Sequence, residues 1–138
     1  MKGGLQNAFS YDTVFFVKIT GKIVRGAGRG RALGFPTLNI EAGDLNLDFG
    51  VYAVWVELHG VRYKGAMSYG PRPTFEDSSI ALEVFVLDYS GEDYGEVATV
   101  EVVKKIRDIK KFDSAEDLKK QIEQDVKEVR EVLMVGGR

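Results

Sequence analysis

The chain has 138 residues, which suits a single domain, and its 44% hydrophobic content is too high for a disordered chain. It has no cysteine and one histidine, His59, which excludes a disulfide framework, a cysteine nucleophile and a cysteine-ligated zinc site and argues against a histidine-rich metal site. The net charge of -2 and the lack of any apolar run near the roughly 20 residues that span a bilayer lead us to expect no nucleic acid and no membrane among its partners.

The N-terminal part of the chain is basic. Residues 1–40 carry a net charge of +5 and the remaining residues a net charge of -7. This asymmetry indicates a local site for an anion such as a phosphate, although chance scatter in a short chain produces the same pattern. We expect residues 1–138 to form one domain, with residues 1–13 a frayed end or an expression remnant. No signal peptide is visible, which fits a cytoplasmic protein, and we expect a monomer.

The first predicted strand covers residues 14–25, rich in Val, Phe and Ile, with Gly21 at a bulge or bend. A glycine-rich loop follows, with four glycines within nine positions: Gly26, Gly28, Gly30 and Gly34. Such a loop can turn its backbone N–H groups toward a phosphate, and Arg29 and Arg31 add positive charge. It is neither a P-loop nor a Rossmann fingerprint, because Phe35-Pro36 follows and we expect no helix there. A loop without function remains the alternative.

Two neutral oxygen ligands follow the glycine loop. Pro36 favours an extended chain, so residues 37–39 are predicted as strand, with the side chains of Thr37 and Asn39 on the same side. Mg²⁺ commonly takes few protein oxygens and completes its shell with phosphates and water. The pair therefore indicates a metal site, or else two residues that cap a turn.

The middle of the chain predicts a hairpin and a further strand. Residues 50–58 and 61–69 flank His59-Gly60, a strong signal for a two-residue turn. Residues 80–89 alternate, so that Glu83 shares a face with Ala81, Phe85 and Leu87. An apolar setting suits a carboxylate to accept a proton, although these residues alone slightly favour a strand-edge glutamate that reaches water or pairs with a lysine.

The chain ends in a strand and a helix. Residues 95–107 are the last predicted strand. Ser114 is a good N-cap, and an apolar stripe follows at helical spacing, formed by Leu118, Ile122, Val126, Val129 and Leu133. Short antiparallel strands and one C-terminal helix predict a mainly β protein, a small closed or nearly closed barrel with the helix on the sheet or at one end.

Several of these segments together resemble one family. Gly26-x-Gly-Arg-Gly and Leu33-Gly-Phe-Pro-Thr-x-Asn39 are similar to the flap and the PTAN signature of riboflavin kinases, with Leu38 in place of the alanine. The resemblance extends from about Ile19 to the end of the helix, with further motifs in family order: Pro73-Thr74-Phe75, Leu82-Glu83-Val84, Asp93-Tyr94-Gly95-Glu96, Ile106-Arg107 and Lys111-Phe112-Asp113-Ser114.

The resemblance implies a six-stranded antiparallel, Greek-key-like barrel with a C-terminal helix, and transfer of the ATP γ-phosphate to the ribityl 5′-hydroxyl of riboflavin, which gives FMN and ADP. It implies that Glu83 is the catalytic base and that Thr37 and Asn39 hold Mg²⁺ with the nucleotide phosphates. The implied nucleotide contacts are Gly26, Gly28, Gly30, Arg31, Thr37, Val86, Asp88 and Tyr94. The implied flavin contacts are Arg107, Lys110 and Phe112.

Other readings stay open beside this one. Many bacterial relatives carry an N-terminal adenylyltransferase module that makes FAD, for which 138 residues have no room. We therefore expect a stand-alone kinase or the C-terminal kinase half of a bifunctional chain. The alternatives are a non-catalytic barrel that binds flavin or nucleotide, and a kinase for a different small alcohol.

Overall fold

The computed structural model describes residues 17–26, 28–71 and 80–134. The expectations for residues 1–13, the start of the first strand and the Pro73-Thr74-Phe75 motif lie outside these ranges. Six antiparallel strands close into a barrel in the order β1-β2-β5-β4-β3-β6, which confirms the predicted architecture. The elements are β1 (Val17–Val24), α1 (Arg29–Ala32), β2 (Leu38–Glu41), β3 (Gly50–Leu58), β4 (Val61–Pro71), β5 (Ile80–Val86), β6 (Val97–Arg107) and α2 (Ala115–Met134).

The β3–β4 hairpin is the most regular part of the barrel. Its register runs without interruption from Leu58↔Val61 to Gly50↔Tyr69. His59 and Gly60 both have positive φ, 52° and 76°, as a type I′ turn requires. The twist of that turn matches the twist of the strands, so the two residues fix the register predicted from sequence.

Alternation along the strands divides the side chains between two apolar clusters. The barrel interior is filled by buried residues that include Ile23, Val54, Met67, Val84 and Val100. On the outer wall, α2 lays Val129 and Leu133 against Ala53, Trp55 and Leu87. Burying each such aliphatic side chain contributes about 1.5–3 kcal/mol, so the helix is held on the sheet by packing. Its start is capped as predicted, because the Ser114 Oγ accepts the Asp117 backbone N–H at 3.1 Å.

Three local expectations are wrong. Gly21 is not at a bulge, because it pairs in register with Ala98, and its role is close approach, since a Cβ there would overlap the Glu41 carbonyl. A helix does follow the first glycines: α1 is a single turn. Strand β5 ends at Val86 and does not reach Tyr89, because Asp88 adopts a left-handed φ of 59°.

Within the described ranges, neither helix is long and apolar enough to cross a membrane.

Candidate active site

A cavity of about 560 Å³ lies on the outer wall of the barrel. Its walls come from α1 and the residues after it, from β4 and β5, from the segment between β6 and α2, and from the first half of α2. Leu82 and Val84 of β5 face the barrel interior. The residues that alternate with them, Ala81, Glu83 and Phe85, face the cavity. The size is in the range of small-molecule sites.

A carboxylate and a hydroxyl meet on the cavity wall. Thr37 donates from its Oγ1 to Oε1 of Glu83 at 3.1 Å. Both residues line the cavity. Asn39 lies directly opposite Glu83 in the β2–β5 ladder. Leu38, between Thr37 and Asn39 in the chain, is buried in the barrel interior. Thr37 and Asn39 thus lie on the same side of the sheet, as expected, and the β2–β5 register adds Glu83 to that side.

Asn39 is built into the site as an unsatisfied acceptor. Its side chain is 8% exposed, and its Oδ1 finds no hydrogen-bond partner among the described residues. A Cβ at Gly26 would overlap the Asn39 amide, so the glycine lets the loop close over it. A buried oxygen without a partner costs free energy unless a ligand satisfies it. This observation fits a hard cation held by neutral oxygens of Asn39 and Thr37.

Carboxylate clusters do not provide a metal site in the described ranges. There, no group of three or more His, Cys, Asp or Glu side chains is close enough together to hold an ion. A cation bound at Thr37 and Asn39 would therefore depend on substrate oxygens and water for the rest of its shell.

The glycine loop folds into a compact flap around α1. The Gly30 carbonyl accepts the backbone N–H groups of Leu33 and Phe35, at 3.0 and 2.7 Å, and Gly34 ends the turn with a φ of 91°. Gly30 lines the cavity, and a Cβ there would overlap the Phe35 carbonyl. Arg31 instead pairs with Glu92 at 3.2 Å, where both side chains are more than half exposed. Such a pair contributes about 0–1 kcal/mol, so it leaves Arg31 available to a phosphate.

The other expected nucleotide contacts do not line the main cavity. Val86 is buried inside the barrel at 3% exposure. Asp88 is exposed and receives both Nη groups of Arg130 from α2, each at 3.1 Å, and this hydrogen-bonded cation lowers the pKa of Asp88. Tyr94 is exposed beneath the Arg25 guanidinium, which lies 4.5 Å from its ring centre. The structure thus separates these three residues from Glu83 and Thr37.

The loop that carries Tyr94 is fixed by a polar network. The Tyr89 hydroxyl donates to Asp93 Oδ2 at 2.6 Å, and His59 Nε2 lies 3.1 Å from Asp93 Oδ1. The Tyr89 hydrogen bond, and then His59, lower the pKa of Asp93 despite its partial burial. The same bond raises the pKa of Tyr89 to about 12. His59, interpreted from sequence as a simple turn residue, therefore also ties the hairpin to this loop.

The expected flavin contacts do come together. Arg107, Lys110 and Phe112 all line the main cavity. The Arg107 guanidinium lies 5.9 Å and the Lys110 Nζ 5.4 Å from the centre of the Phe112 ring. Phe35 and Phe85 line the same cavity and pack edge to face with their ring centres 5.3 Å apart. A flat aromatic ligand would find apolar walls with cations at one end.

Sequence reasoning missed Asp125, a buried carboxylate on the cavity side of α2. It accepts hydrogen bonds from Arg107 and from Gln121. The signal was present, because an acid three residues after Ile122 falls on the helix face that carries the apolar stripe. Charged residues are almost never buried unless they are paired, so an acid there predicts a partner.

The fold and the site define a small β-barrel protein with a ligand-sized cavity on its outer wall, lined by the Glu83 carboxylate, the Thr37 hydroxyl and the cations of Arg107 and Lys110. Asn39 lines a separate, smaller pocket. The chain belongs to the riboflavin kinase family, whose sequence model matches residues 14–133. A bifunctional riboflavin kinase/FMN adenylyltransferase of Haemophilus influenzae is 43% identical over 111 residues, which are 79% of this chain and 36% of that protein. The chain thus spans less than half of the length of this relative.

Two solved structures are similar as well. A riboflavin kinase from Trypanosoma brucei superimposes with a TM-score of 0.61 and 27% identity, over 86% of this chain and 80% of that one. A Streptococcus pneumoniae structure described as a macrolide-efflux protein gives a TM-score of 0.75 and 34% identity, over 83% of this chain and 38% of that one. Both support the barrel with its C-terminal helix.

Proposed function

We propose that this domain is a riboflavin kinase that transfers the γ-phosphate of ATP to the ribityl 5′-hydroxyl of riboflavin and releases FMN and ADP. One observation carries the proposal: the Thr37–Glu83 hydrogen bond of 3.1 Å lies on the wall of the cavity that Arg107, Lys110 and Phe112 also line. The Glu83 carboxylate, a candidate proton acceptor, therefore lines the same cavity as an aromatic ring and two cations that would suit a flavin. The family and the named relatives support the same reaction.

Glu83 is the proposed base. One of its oxygens accepts the Thr37 hydroxyl, which orients the carboxylate and leaves Oε2 for the substrate. As the substrate oxygen forms its bond to the γ-phosphorus, the hydroxyl proton passes to Glu83 and the bond to the β-phosphate oxygen breaks, so that ADP leaves. The protein's contribution is mainly to orient the hydroxyl in line with the leaving group.

The nucleotide phosphates would lie under the flap, where Gly26 and Gly30 leave room for a close approach of the backbone. Riboflavin kinases use ATP with a divalent metal, and we propose Mg²⁺ here, held by Thr37 Oγ1 and the partnerless Asn39 Oδ1. When bound, this ion neutralises charge on the phosphate oxygens. Gly28, Arg31, Asp88 and Tyr94 remain proposed nucleotide contacts, for which a movement of the flap and the 87–96 loop would be needed. Val86, whose side chain is inside the barrel, remains a proposed contact through its backbone alone.

We further propose that residues 1–138 act as one domain and as a monomer. As a kinase that draws on ATP, it would act in the cytoplasm. In a longer bifunctional chain it would correspond to the kinase half.

The test is to incubate the purified chain with riboflavin, ATP and Mg²⁺ and to separate the flavins by chromatography with fluorescence detection. FMN that forms in step with ADP supports the kinase. Glu83→Gln should abolish most of this activity, whereas Glu57→Gln, which changes an exposed carboxylate of β3 in the same way, should retain it. Tight flavin binding without FMN would overturn the kinase in favour of a binding module.

A further inference from the structure

Asp125 is a buried charge with a defined partner. Its side chain is 5% exposed on α2, and its two oxygens accept Nε and Nη2 of Arg107, both at 2.8 Å. Gln121, one turn earlier, donates to Oδ1 at 2.9 Å. A two-pronged contact of this kind fixes the plane of a guanidinium as well as its position.

Arg107 is therefore held rigidly at the edge of the cavity. It is the last residue of β6, its side chain is 20% exposed, and its Nη1 also donates to the Asp108 carbonyl at 3.0 Å. These contacts use three of the five guanidinium N–H groups. Nη1 and Nη2 each keep one N–H that these three contacts do not use, and Arg107 lines the cavity.

The same ion pair spans the segment that forms one wall of the cavity. Residues 108–114 connect the end of β6 to the start of α2 and include Lys110 and Phe112. Because Arg107 lies just before this segment and Asp125 lies within the helix that follows it, their bond ties the end of β6 to the middle of α2. Phe112 then packs within 5.9 Å of the guanidinium that Asp125 orients.

We propose that Asp125 is a positioning residue for the flavin: it orients Arg107, and through it the wall that carries Phe112, for contact with the isoalloxazine ring. The inference rests on the proposed riboflavin kinase function. Asp125 should control the affinity for riboflavin and not the rate of phosphoryl transfer, because the hydrogen bonds given for Asp125 and Arg107 reach neither Thr37, just before β2, nor Glu83 of β5.

Four variants test this role through two separate readouts, the riboflavin Kd from fluorescence quenching and the split between KM and kcat. Asp125→Asn should weaken riboflavin binding and raise the riboflavin KM by about tenfold or more, with kcat within about twofold and the ATP KM unchanged. Glu123→Gln, which removes the charge of an exposed acid on the same helix, should match the wild type in all of these. Arg107→Lys keeps a cation beside Asp125 without the two-pronged contact and should also bind riboflavin weakly.

The fourth variant separates positioning from stability. Arg107→Met with Asp125→Leu replaces the ion pair by apolar side chains, an exchange that is often neutral or stabilising, so this chain should fold even where Asp125→Asn does not. We expect it to recover thermal stability and not riboflavin affinity. Recovery of both, or wild-type riboflavin affinity in folded Asp125→Asn or in Arg107→Lys, would overturn the positioning role.

The proposed function and this inference fail in different ways. If the wild-type chain binds no riboflavin and forms no FMN, both are wrong. If the wild type forms FMN and the variants keep its riboflavin KM, only the role of Asp125 is wrong.

Discussion

Thr37 and Glu83 are 46 positions apart in the chain, and yet the Thr37 hydroxyl donates to the Glu83 carboxylate at 3.1 Å. Strand β2 places Asn39 directly opposite Glu83, so Thr37 just before that strand comes within reach of the carboxylate. A neutral hydroxyl donor orients a carboxylate and leaves its charge in place, whereas a cationic partner would neutralise that charge. The proposed base Glu83 is thereby oriented on the wall of a cavity through its Oε1.

Replacement of this base tests the mechanism. Glu83→Gln keeps the volume of the side chain and an acceptor for Thr37, so we expect the same thermal midpoint and riboflavin Kd as in the wild type. The rate of FMN formation should fall by about 10²–10⁴-fold, the usual contribution of a general base. The measurement is kcat at saturating substrates, and a rate near the wild-type value would remove Glu83 from this role.

Asn39 tests the metal site. Asn39→Ala removes the buried Oδ1 that has no partner among the described residues, so the protein itself loses no hydrogen bond at that atom. We expect the Mg²⁺ concentration for half-maximal FMN formation to rise by about tenfold, which corresponds to a loss of about 1.4 kcal/mol of Mg²⁺ binding free energy. Asn46→Ala, in the exposed connection between β2 and β3, is the control. An unchanged Mg²⁺ dependence in Asn39→Ala would contradict the assignment.

The Asp93 network predicts a dependence of stability on pH. Hydrogen bonds from Tyr89 and from His59 lower the pKa of Asp93 in the folded protein. This stabilisation is fully present above the unfolded pKa of about 3.9 and is lost as the pH falls through the lower folded pKa. Asp93→Asn, which tolerates the φ of 52°, should therefore melt below the wild type at pH 7, and the difference should shrink under about pH 4. Equal midpoints at pH 7 would show that the network contributes nothing.

Two adjacent residues at the end of α2 test how the helix is held. Leu133 is 1% exposed against the outer wall of the barrel, whereas Met134 is 68% exposed. Leu133→Ala should lower the free energy of unfolding by about 2–5 kcal/mol, because it removes buried methyl groups and leaves a cavity. Met134→Ala should change it by less than about 0.5 kcal/mol. Urea titration measures both, and equal losses would mean that α2 is not anchored through this face.

The local features predicted from sequence were those with a local cause. His59-Gly60 specified a turn through its backbone angles, and Ser114 specified the start of α2 through its side-chain cap. Alternation correctly placed Glu83 on the opposite face of its strand from Leu82 and Val84, and the structure shows that those two face the barrel interior. Each of these rests on residues within a few positions of one another, where propensity and period decide.

The features that sequence reasoning missed have partners far away in the chain. Gly21 is required by the Glu41 carbonyl of the neighbouring strand, and Asp125 is buried because Arg107 at the end of β6 meets it. Val86, Asp88 and Tyr94 are close in sequence, but alternation along β5 puts Val86 in the barrel interior. After the left-handed turn at Asp88, the chain brings Asp88 to Arg130 of α2 and Tyr94 to Arg25 beside the flap.

The sequence by itself determined that this chain is a β-barrel with one C-terminal helix, because hydrophobic period, turn residues and caps act locally. The resemblance of its motifs to a known family named the candidate site residues. Only the tertiary structure decided which of those side chains share a cavity. Closure of the barrel places β2 beside β5 and lays α2 over the outer wall, and this joins Thr37 to Glu83 and Arg107 to Asp125. These are contacts between residues distant in the chain, and packing selects them because buried polar groups must find partners.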